Sequence, residues 1–355
     1  MNLLAKKIRI ADRLVGDNEP TFVIAEAGVN HNGDLDLAKK LIDVAKNARA
    51  DAVKFQTFVA EEGISKYAEL ASYQKAGVPA KSQLEMVKPL ELSPDDFREL
   101  SRYAMNNEIM FLSTPFDKPS VDLLRELDIP AFKIGSGDIT SLPLLEYIAA
   151  EGKTMIVSTG MSTIEEVRSA VDVIKGQNNN NIILLHCTSN YPAKIDDCNL
   201  EAMKTLRRIF RVPVGYSDHT EGILIPIVAT AMGACIIEKH FTIDKSLPGP
   251  DHKASLNPQE LKEMVESIRL VEKAKGSGEK MPVESEFEIM RVARKSIVAS
   301  IDIPEGSTIT EKMIAFKRPG WGIPPKDLKK IIGKKTKAKI RKDEVIKWEN
   351  IEILK

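Results

Sequence analysis

Short apolar runs alternate, over the first three quarters of the chain, with segments whose apolar residues recur at helical spacing. The helical segments include residues 35–48, 94–106, 164–175 and 258–274. The apolar runs are rich in Val, Ile and Phe, which is typical of buried strands, and they span residues 22–29, 52–58, 111–116, 131–137, 155–160, 182–189, 212–219 and 235–242. Strands that alternate with helices form parallel βαβ units. Eight such units in about 250 residues predict an α/β fold with a closed (β/α)₈ barrel.

The alternative to a barrel is an open, doubly wound parallel sheet. That fold places a G-x-G-x-x-G turn after its first strand. The first predicted strand of this chain is followed by NHNGD instead. The barrel is therefore favoured.

The last quarter of the chain has a different pattern. Residues 275–289 are rich in Gly, Ser, Pro and charged residues without any periodicity, which indicates a linker. Residues 296–310 then alternate between apolar and polar, which predicts a strand pair around a turn at residues 304–306. We expect a barrel domain over residues 1–280, a linker over 281–290 and a small β-rich domain over 291–355.

Composition excludes several classes of protein. The chain has 355 residues, and 51 Lys and Arg balance 51 Asp and Glu, whereas nucleic-acid-binding proteins typically carry a basic excess. No segment reaches the roughly 20 apolar residues of a membrane-spanning helix, and the N-terminus lacks signal-peptide features. The three cysteines (Cys187, Cys198 and Cys235) have no metal-type spacing. We expect reduced, buried thiols in a cytoplasmic protein without nucleic-acid or membrane partners.

Polar residues interrupt the predicted strands, although strands buried on both faces are normally apolar throughout. They fall in the later part of each strand, which is the end that forms active sites in this fold, and they are Glu26, Lys54, Gln56, Lys133, His186, Glu238 and His240. All five histidines of the chain lie in strands or in loops that leave strands. This distribution favours a functional site over isolated core histidines.

Lys54 and Lys133 need partners because burying an unpaired ammonium group is very costly. One explanation is a structural ion pair with Glu26 or Asp138. The other is an anionic ligand. The segments KIGSGD, STP and STG provide backbone N–H groups and hydroxyls at neighbouring strand ends, and such groups bind phosphate. Together they predict a pocket for a small phosphorylated anion.

His219 and His240 end adjacent predicted strands, so their imidazoles can converge on one divalent metal. Two imidazoles with oxygen ligands suit Mn²⁺, Fe²⁺ or Zn²⁺. A closed structural zinc site is disfavoured because no thiolate cluster accompanies them. Four carboxylates are available to bind the metal, to orient its ligands or to transfer protons: Glu26, Asp218, Glu238 and Asp251.

Ten segments together resemble the sialic acid synthases over nearly the whole chain. They are IAEAGVNHNGD (24–34), VKFQTF (53–58), STPF (113–116), FKIGSGD (132–138), STGM (158–161), HCTSNYP (186–192), GYSDHT (215–220), EKHFT (238–242), GPDHKAS (249–255) and KRPGWGIPP (317–325). The resemblance implies a TIM barrel followed by a SAF (antifreeze-like) domain. It also implies condensation of phosphoenolpyruvate with an N-acetylmannosamine-type sugar, which gives a nine-carbon 2-keto acid and phosphate.

The resemblance also implies roles for individual residues. Those assigned to phosphoenolpyruvate are Lys54, Thr114, Lys133, Ser136, Ser158, Ser189 and Ser217. Those assigned to the sugar are Glu26, Gln56, Tyr191, Asp251 and Arg318. His219 and His240 would bind the metal, expected to be Mn²⁺ with Mg²⁺ and Co²⁺ as alternatives, and would act with Glu26 in catalysis. Arg318 would come from the SAF domain of the partner subunit, in a domain-swapped homodimer.

The motifs do not decide the acceptor sugar. N-Acetylmannosamine, giving N-acetylneuraminate, is the first expectation. The alternatives are 2,4-diacetamido-2,4,6-trideoxymannose, the legionaminate precursor, and more remotely the acceptor of a pseudaminate synthase. The insertion at residues 59–92 is expected to cover the catalytic mouth. Two further hypotheses are a heptulosonate- or octulosonate-phosphate synthase, which needs no SAF domain, and an ice-binding protein, against which the charged tail argues.

Overall fold

The computed structural model describes residues 7–70 and 80–352, which form two compact units divided after Gly276. The first unit confirms the predicted barrel. Its eight parallel strands are β3 Phe22–Gly28, β4 Ala52–Thr57, β5 Met110–Pro115, β6 Ala131–Ile134, β7 Thr154–Ser158, β8 Ile182–Cys187, β9 Val214–Asp218 and β10 Ile236–His240. Each strand pairs with the next along the chain, and β10 pairs with β3 to close the barrel.

Amphipathic helices follow the strands and cover the barrel. The helices among the described residues of this unit are Leu35–Asn47, Ala60–Gly63, Gln83–Val87, Pro94–Asn106, Lys118–Glu126, Leu142–Ala149, Ile164–Gly176, Ala202–Phe210, Leu224–Ala231 and Pro258–Lys275. Three of them begin with capping boxes, headed by Ser93, Thr163 and Asn257. In each box the cap side chain and a carboxylate three residues later satisfy backbone N–H groups that the helix leaves free.

The amino-terminal end of the barrel is filled with apolar side chains. A hairpin of β1 Ile8–Ile10 and β2 Arg13–Val15 contributes Ile8, Ile10 and Val15 to a cluster with the first residues of the barrel strands, such as Ile24 and Ile156. The polar residues of the strands therefore lie toward the carboxyl end of the barrel.

The second unit has its own core of isoleucines, including Ile297, Ile303 and Ile340. The predicted strand pair around residues 304–306 was wrong. Strand β11 Ser296–Ala299 pairs antiparallel with β12 Ile314–Lys317, and Ile303 forms a bridge with Ile340. The alternating segment thus finds its partners in the later chain, and Ile297 and Ile303 reach the isoleucine core from these pairings.

Part of the predicted linker is helical. Helix Glu286–Ala293 has no Gly or Pro, carries acidic residues in its first turn and Arg291 in its last turn, and charges so placed stabilise a helix through its dipole. Up to residue 352, this unit has one further α-helix, Leu328–Ile331. Among the described residues, no helix of either unit is both long and apolar enough to cross a membrane.

Candidate functional site

The carboxyl ends of the barrel strands surround a cavity of about 370 Å³. Twelve of the fourteen predicted site residues line it: Glu26, Lys54, Gln56, Thr114, Lys133, Ser136, Ser158, Ser189, Tyr191, Ser217, His219 and His240. Asp251 lines an adjoining cavity. Arg318 lies in the second unit and is exposed. Six residues outside these fourteen also line the first cavity: Phe116, Gly135, Gly137, Met161, Cys187 and Glu238.

Lys54 lies on β4 between two carboxylates. Its Nζ is 2.5 Å from Glu26 Oε2 and 3.7 Å from Glu238 Oε2, and it donates to Thr114 Oγ1 at 2.9 Å. Burial alone would lower the pKa of the ammonium group, but Glu238 and Glu26 outweigh it and hold the pKa above its usual value. Lys54 is therefore charged and already paired.

A bulge in the barrel aims Glu26 at this lysine. The register between β3 and β4 shifts between Glu26 and Gly28, and Gly28 has a φ of +55°, which favours glycine. Such bulges re-aim side chains next to active sites. Burial raises the pKa of Glu26 to about 7, although Lys54 opposes the rise, so this carboxyl group is poised to exchange protons near neutral pH.

Lys133 on β6 is less well compensated. Its Nζ donates to Ser158 Oγ at 2.8 Å and to its neighbour's backbone carbonyl, and its ionic contact is Glu238 Oε1 at 3.5 Å. Burial lowers its pKa, and Glu238 offsets only part of that effect. Asp138, considered as its partner from the sequence, forms no ion pair with it among the described residues. An anion beside Lys133 would compensate this charge.

Glu238 is the central carboxylate of the site. It accepts a hydrogen bond from Ser217 Oγ at 2.8 Å. Burial would raise its pKa, but Lys133 and Lys54 outweigh burial and lower it to about 2. In the sequence, Glu238 stands out only as one of four carboxylates near the predicted metal ligands. Its position as the third residue of a buried strand marks it as a candidate functional residue. This position does not indicate which lysines it faces.

Hydroxyl groups form one wall of the same cavity beside Gly160. The Gly160 N–H donates to Ser136 Oγ at 3.0 Å, and a Cβ at this position would lie 2.2 Å from Ser189 Oγ. Glycine is therefore required for these hydroxyls to approach the backbone. Together with Lys133 and Ser158 they form a cluster of donors that suits a phosphate or carboxylate group.

The two predicted metal ligands lie next to each other. The ring centroids of His219 and His240 are 5.6 Å apart. His219 Nδ1 lies 2.8 Å from the carbonyl oxygen of Thr188 and must donate to it, so in the neutral ring Nε2 carries the lone pair, and this atom lies 3.0 Å from the Tyr191 hydroxyl. Burial would lower the pKa of His219, but Cys187 and the Thr188 carbonyl outweigh burial and raise it, so a metal that binds here competes with a proton. Metal-binding histidines typically donate their other N–H to a carbonyl group in this way.

His240 also has the properties of a ligand. Burial lowers its pKa well below the usual value, so the imidazole is neutral, the form that binds metals. Its buried Nδ1 has no hydrogen-bond partner among the described residues. In residues 7–70 and 80–352 no group of three or more His, Cys, Asp and Glu side chains is arranged to hold a metal. Two imidazoles that can each offer a nitrogen lone pair suit a divalent metal that keeps further coordination positions open.

The other three histidines hold loops in place. His186 Nε2 bonds the carbonyl of Cys198 at 2.7 Å. His252 donates to Asn32 Oδ1 at 3.2 Å and accepts from Thr242 Oγ1 at 2.6 Å. His31 Nδ1 accepts from a backbone N–H two residues later. Only part of the histidine pattern seen in the sequence therefore belongs to the cavity.

A second cavity, of about 320 Å³, adjoins the first and shares Gln56, Phe116, Tyr191 and His240 with it. Its remaining walls are Val29, Phe58, Val59, Ala60, Gly63, Ile64, Met86, Val87, Leu90, Asp138, Pro250 and Asp251. Seven of these come from the insertion at residues 59–92, of which residues 71–79 lie outside the described part. No Lys or Arg lines this cavity among the described residues.

Comparisons with known proteins agree with both units. A family described as the NeuB family matches residues 41–280, and the SAF domain matches residues 294–352. N,N'-diacetyllegionaminic acid synthase of Legionella pneumophila is 49% identical over 342 residues, which cover 95% of this chain and 96% of that protein. N-acetylneuraminate-9-phosphate synthase of Homo sapiens is 40% identical over 342 residues, which cover 96% and 95%. The crystal structure of the Leptospira borgpetersenii N-acetylneuraminic acid synthetase with citrate has a TM-score of 0.74 at 38% identity and covers 82% of this chain and 97% of that chain.

Proposed function

Since the chain belongs to the NeuB family, the sialic acid synthases, we propose that it condenses phosphoenolpyruvate with the open-chain aldehyde of an N-acetylated mannosamine-type sugar and releases phosphate. The protein is a transferase that forms a carbon–carbon bond. The observation that carries the proposal is the pair of adjoining cavities, one with buried lysines and hydroxyls and the other with apolar walls, which meet at His240 and Gln56.

Phosphoenolpyruvate would bind in the first cavity. Lys133, with the Ser136 and Ser158 hydroxyls, would receive one anionic group, and Lys54 with Thr114 the other. The site fixes these donors before the substrate arrives, so they orient the enol carbon toward the aldehyde without further reorganisation.

In the reaction, C3 of phosphoenolpyruvate forms a bond to the aldehyde carbon, and the aldehyde oxygen takes up a proton to become a hydroxyl. The C2 centre then has oxocarbenium character, and water adds to it with loss of a proton. The C2–O bond to phosphate then breaks with its electron pair on the phosphate oxygen, and the C2 hydroxyl loses its proton, which gives the 2-keto acid and inorganic phosphate. Glu26, whose pKa is raised to about 7 by burial, is our candidate for transferring one of these protons, and ionised Glu238 would stabilise the positive character at C2.

His219 and His240 would hold a divalent metal, for which Mn²⁺ is our first choice. When bound, it would polarise the aldehyde carbonyl as a Lewis acid. Chelation is therefore expected to abolish turnover, and added Mn²⁺ to restore it. Full activity of the chelated double variant His219→Ala, His240→Ala would remove the metal from the mechanism.

For the acceptor, the second cavity favours 2,4-diacetamido-2,4,6-trideoxymannose over N-acetylmannosamine. The walls made by Phe58, Ile64, Met86 and Leu90 match the extra methyl groups of the 6-deoxy, doubly acetylated sugar. A 6-phosphate would meet no cation among the described lining residues. The relative from Legionella pneumophila is named for the corresponding product.

The test compares kcat/KM for three acceptors with phosphoenolpyruvate: the trideoxy sugar, N-acetylmannosamine and its 6-phosphate. We expect the trideoxy sugar to lead N-acetylmannosamine by about 10–200-fold, the range that small apolar differences produce. Phosphate release provides the readout. An equal or higher rate with N-acetylmannosamine contradicts the choice of acceptor, and no phosphate release with any of the three contradicts the proposed reaction.

A further inference from the structure

A buried ion pair lies behind the two histidines, on the side of β9 and β10 that faces the helices. Lys239 Nζ is 2.5 Å from Asp218 Oδ2, and these side chains are 1% and 0% exposed. Lys239 also donates to the backbone carbonyl of Thr220. The Thr220 hydroxyl lies 3.0 and 2.9 Å from the two carboxylate oxygens of Asp218. Neither charged residue lines the catalytic cavities as the described residues form them.

The sequence neighbours of this ion pair are the two predicted metal ligands. His219 lies between Asp218 and Thr220, and His240 follows Lys239 directly. In the ladder between β9 and β10, Lys239 pairs with Asp218, and the described ladder ends there. His219 therefore lies just beyond the last paired residue. The ammonium group of Lys239 contacts the chain on both sides of it.

We propose that Lys239, together with Asp218, is a positioning residue of the metal site. It ties the chain around His219 to the strand that carries His240, and so holds the two imidazoles at the separation that one cation needs. The inference rests on the metal of the proposed function. The lysines of the anion pocket lie on β4 and β6, so loss of this tie should weaken metal binding and spare phosphoenolpyruvate binding.

A general stabilising role would not produce that separation of effects. An ion pair that only stabilises the barrel would, when removed, change the melting temperature and leave the affinity of the folded protein for Mn²⁺ unaltered. A collapse of the catalytic end would weaken both ligands together. Binding constants for the two ligands, measured separately on folded protein, therefore distinguish the three cases.

The test removes both charges at once, because a single substitution would strand the other buried charge. In the double variant Asp218→Asn, Lys239→Met, the amide still accepts from the Thr220 hydroxyl, and the Met side chain replaces the lysine stem. Mn²⁺ binding to metal-free protein is measured by electron paramagnetic resonance. Phosphoenolpyruvate binding is measured by calorimetry without metal. We expect the Kd for Mn²⁺ to rise about 10–100-fold, the usual effect of losing a ligand-orienting group, and the Kd for phosphoenolpyruvate to stay unchanged.

A matched control is the double variant Asp51→Asn, Arg269→Met. It removes an ion pair of 2.8 Å at the other end of the barrel, together with the contacts of Asp51 to Arg13 and of Arg269 to Glu272, and should alter neither constant. Thr220→Val keeps both charges, loses the hydroxyl that orients Asp218, and serves as a milder variant whose Kd for Mn²⁺ should also rise. Circular dichroism and thermal melts check that each variant is folded.

Wild-type affinity for Mn²⁺ in folded Asp218→Asn, Lys239→Met or in Thr220→Val would overturn the inference. An equal loss of Mn²⁺ and phosphoenolpyruvate binding would overturn it as well, as would weakened Mn²⁺ binding in the control. If the wild-type protein binds no Mn²⁺, the metal of the proposed function fails and this inference fails with it. If the wild-type protein binds Mn²⁺ and the double variant binds it with the same affinity, only the positioning role is refuted.

Discussion

The two buried lysines of the cavity differ in how much negative charge surrounds them. Lys54 contacts Glu26 and Glu238, whereas Lys133 has one ionic contact, at 3.5 Å, and a lowered pKa caused by burial. We expect Lys133→Met to leave the melting temperature of the substrate-free protein unchanged or higher. Its affinity for phosphoenolpyruvate should fall about 10–100-fold, the equivalent of one charge-assisted hydrogen bond. Thermal melts with and without phosphoenolpyruvate measure both effects.

Lys54→Met is the matched comparison. It leaves Glu26 without its main partner and removes one of the two cations beside Glu238, and breaking a buried pair in this way costs about 3–5 kcal/mol. The substrate-free Lys54→Met protein should therefore unfold at a lower temperature than Lys133→Met. Equal stability of the two variants would contradict the distinction, and so would a large destabilisation of Lys133→Met with intact phosphoenolpyruvate binding.

The Glu26 carboxyl group makes stability depend on pH. Its pKa is raised from 4.5 to about 7 by burial. Between these values the folded protein keeps a proton that the unfolded chain releases. The stabilising contribution is therefore full below pH 4.5 and is lost as the pH rises through 7. In the wild-type protein this loss should lower the free energy of unfolding by about 1–3 kcal/mol between pH 4.5 and 7. In Glu26→Gln this decrease should be absent. Urea unfolding at several pH values measures it, and parallel curves for wild type and variant would contradict the assignment.

For individual residues, the sequence predicts which polar side chains meet, because the carboxyl ends of barrel strands always converge. It does not predict the partner of Lys133. Glu238 faces this lysine across the barrel, from a strand that is not its neighbour. That contact depends on how the strands are staggered around the barrel, which is a property of the closed sheet and not of any one strand.

Helix Gln83–Val87, in the insertion at residues 59–92, contributes Met86 and Val87 to the second cavity, where we expect the acceptor sugar to bind. Met86 lines the second cavity and is 5% exposed. Because the side chain buries apolar surface against the acceptor, Met86→Ala should raise the KM for the acceptor about 10-fold, in line with about 1.5–3 kcal/mol for burying such a side chain. The KM for phosphoenolpyruvate should stay constant. Initial rates with each substrate varied in turn provide the measurement.

Leu84 supplies the control in the same helix. It packs against the cluster of Val29, Phe58, Ala60 and Leu90 but does not line the cavity. Leu84→Ala should therefore lower stability without a selective change in the KM for the acceptor. If both variants raise the two KM values alike, Met86 has a structural role only.

The elements of the barrel were predictable because each has a strong local signal. All eight strands form where the apolar runs lie, within a few residues. In the second unit the local signal is insufficient. The alternation at residues 296–310 is real, but its partners come from distant segments such as residues 314–317 and 340. Helix Glu286–Ala293 has only 8 residues and lies between polar segments. It is too short for its apolar residues to show a clear helical period in the sequence.

At the scale of the whole molecule, a neutral chain has two oppositely charged units. Residues 277–355 contain 18 Lys and Arg and 12 Asp and Glu, a net charge of +6, so residues 1–276 carry −6. Helix Glu286–Ala293 buries none of its residues and exposes Phe287 and Val292. Complementary charge promotes association, and clustered exposed apolar side chains often mark an interface. From these properties we predict that the small unit contributes to association of the chain into the homodimer that the sequence resemblance implies.

Arg318 is the residue through which such docking would reach the chemistry. It is exposed at the end of β12, and the loop after it is fixed, because Gly320 donates to the carbonyl of Arg291 at 2.7 Å and a Cβ on Gly320 would lie 2.7 Å from Arg294 Cβ. A fixed loop can present a guanidinium group to a sugar at low entropic cost. We predict that it serves the site of the partner subunit.

Two variants test this prediction when they are assayed at phosphoenolpyruvate concentrations well below the wild-type KM, where each is expected to have little activity: Lys133→Met in the barrel and Arg318→Ala in the small unit. If Arg318 acts on the partner's site, a mixed dimer has one site with both substitutions and one with neither. Exchange of subunits in an equal mixture should then restore roughly a quarter of wild-type activity, because half of the dimers are mixed and each has one intact site. If Arg318 serves the barrel of its own chain, every site keeps one substitution and the mixture stays inactive. Mass spectrometry of isotope-labelled protein shows whether the subunits have exchanged. If mixed dimers have formed and activity does not recover, Arg318 does not act on the partner's site.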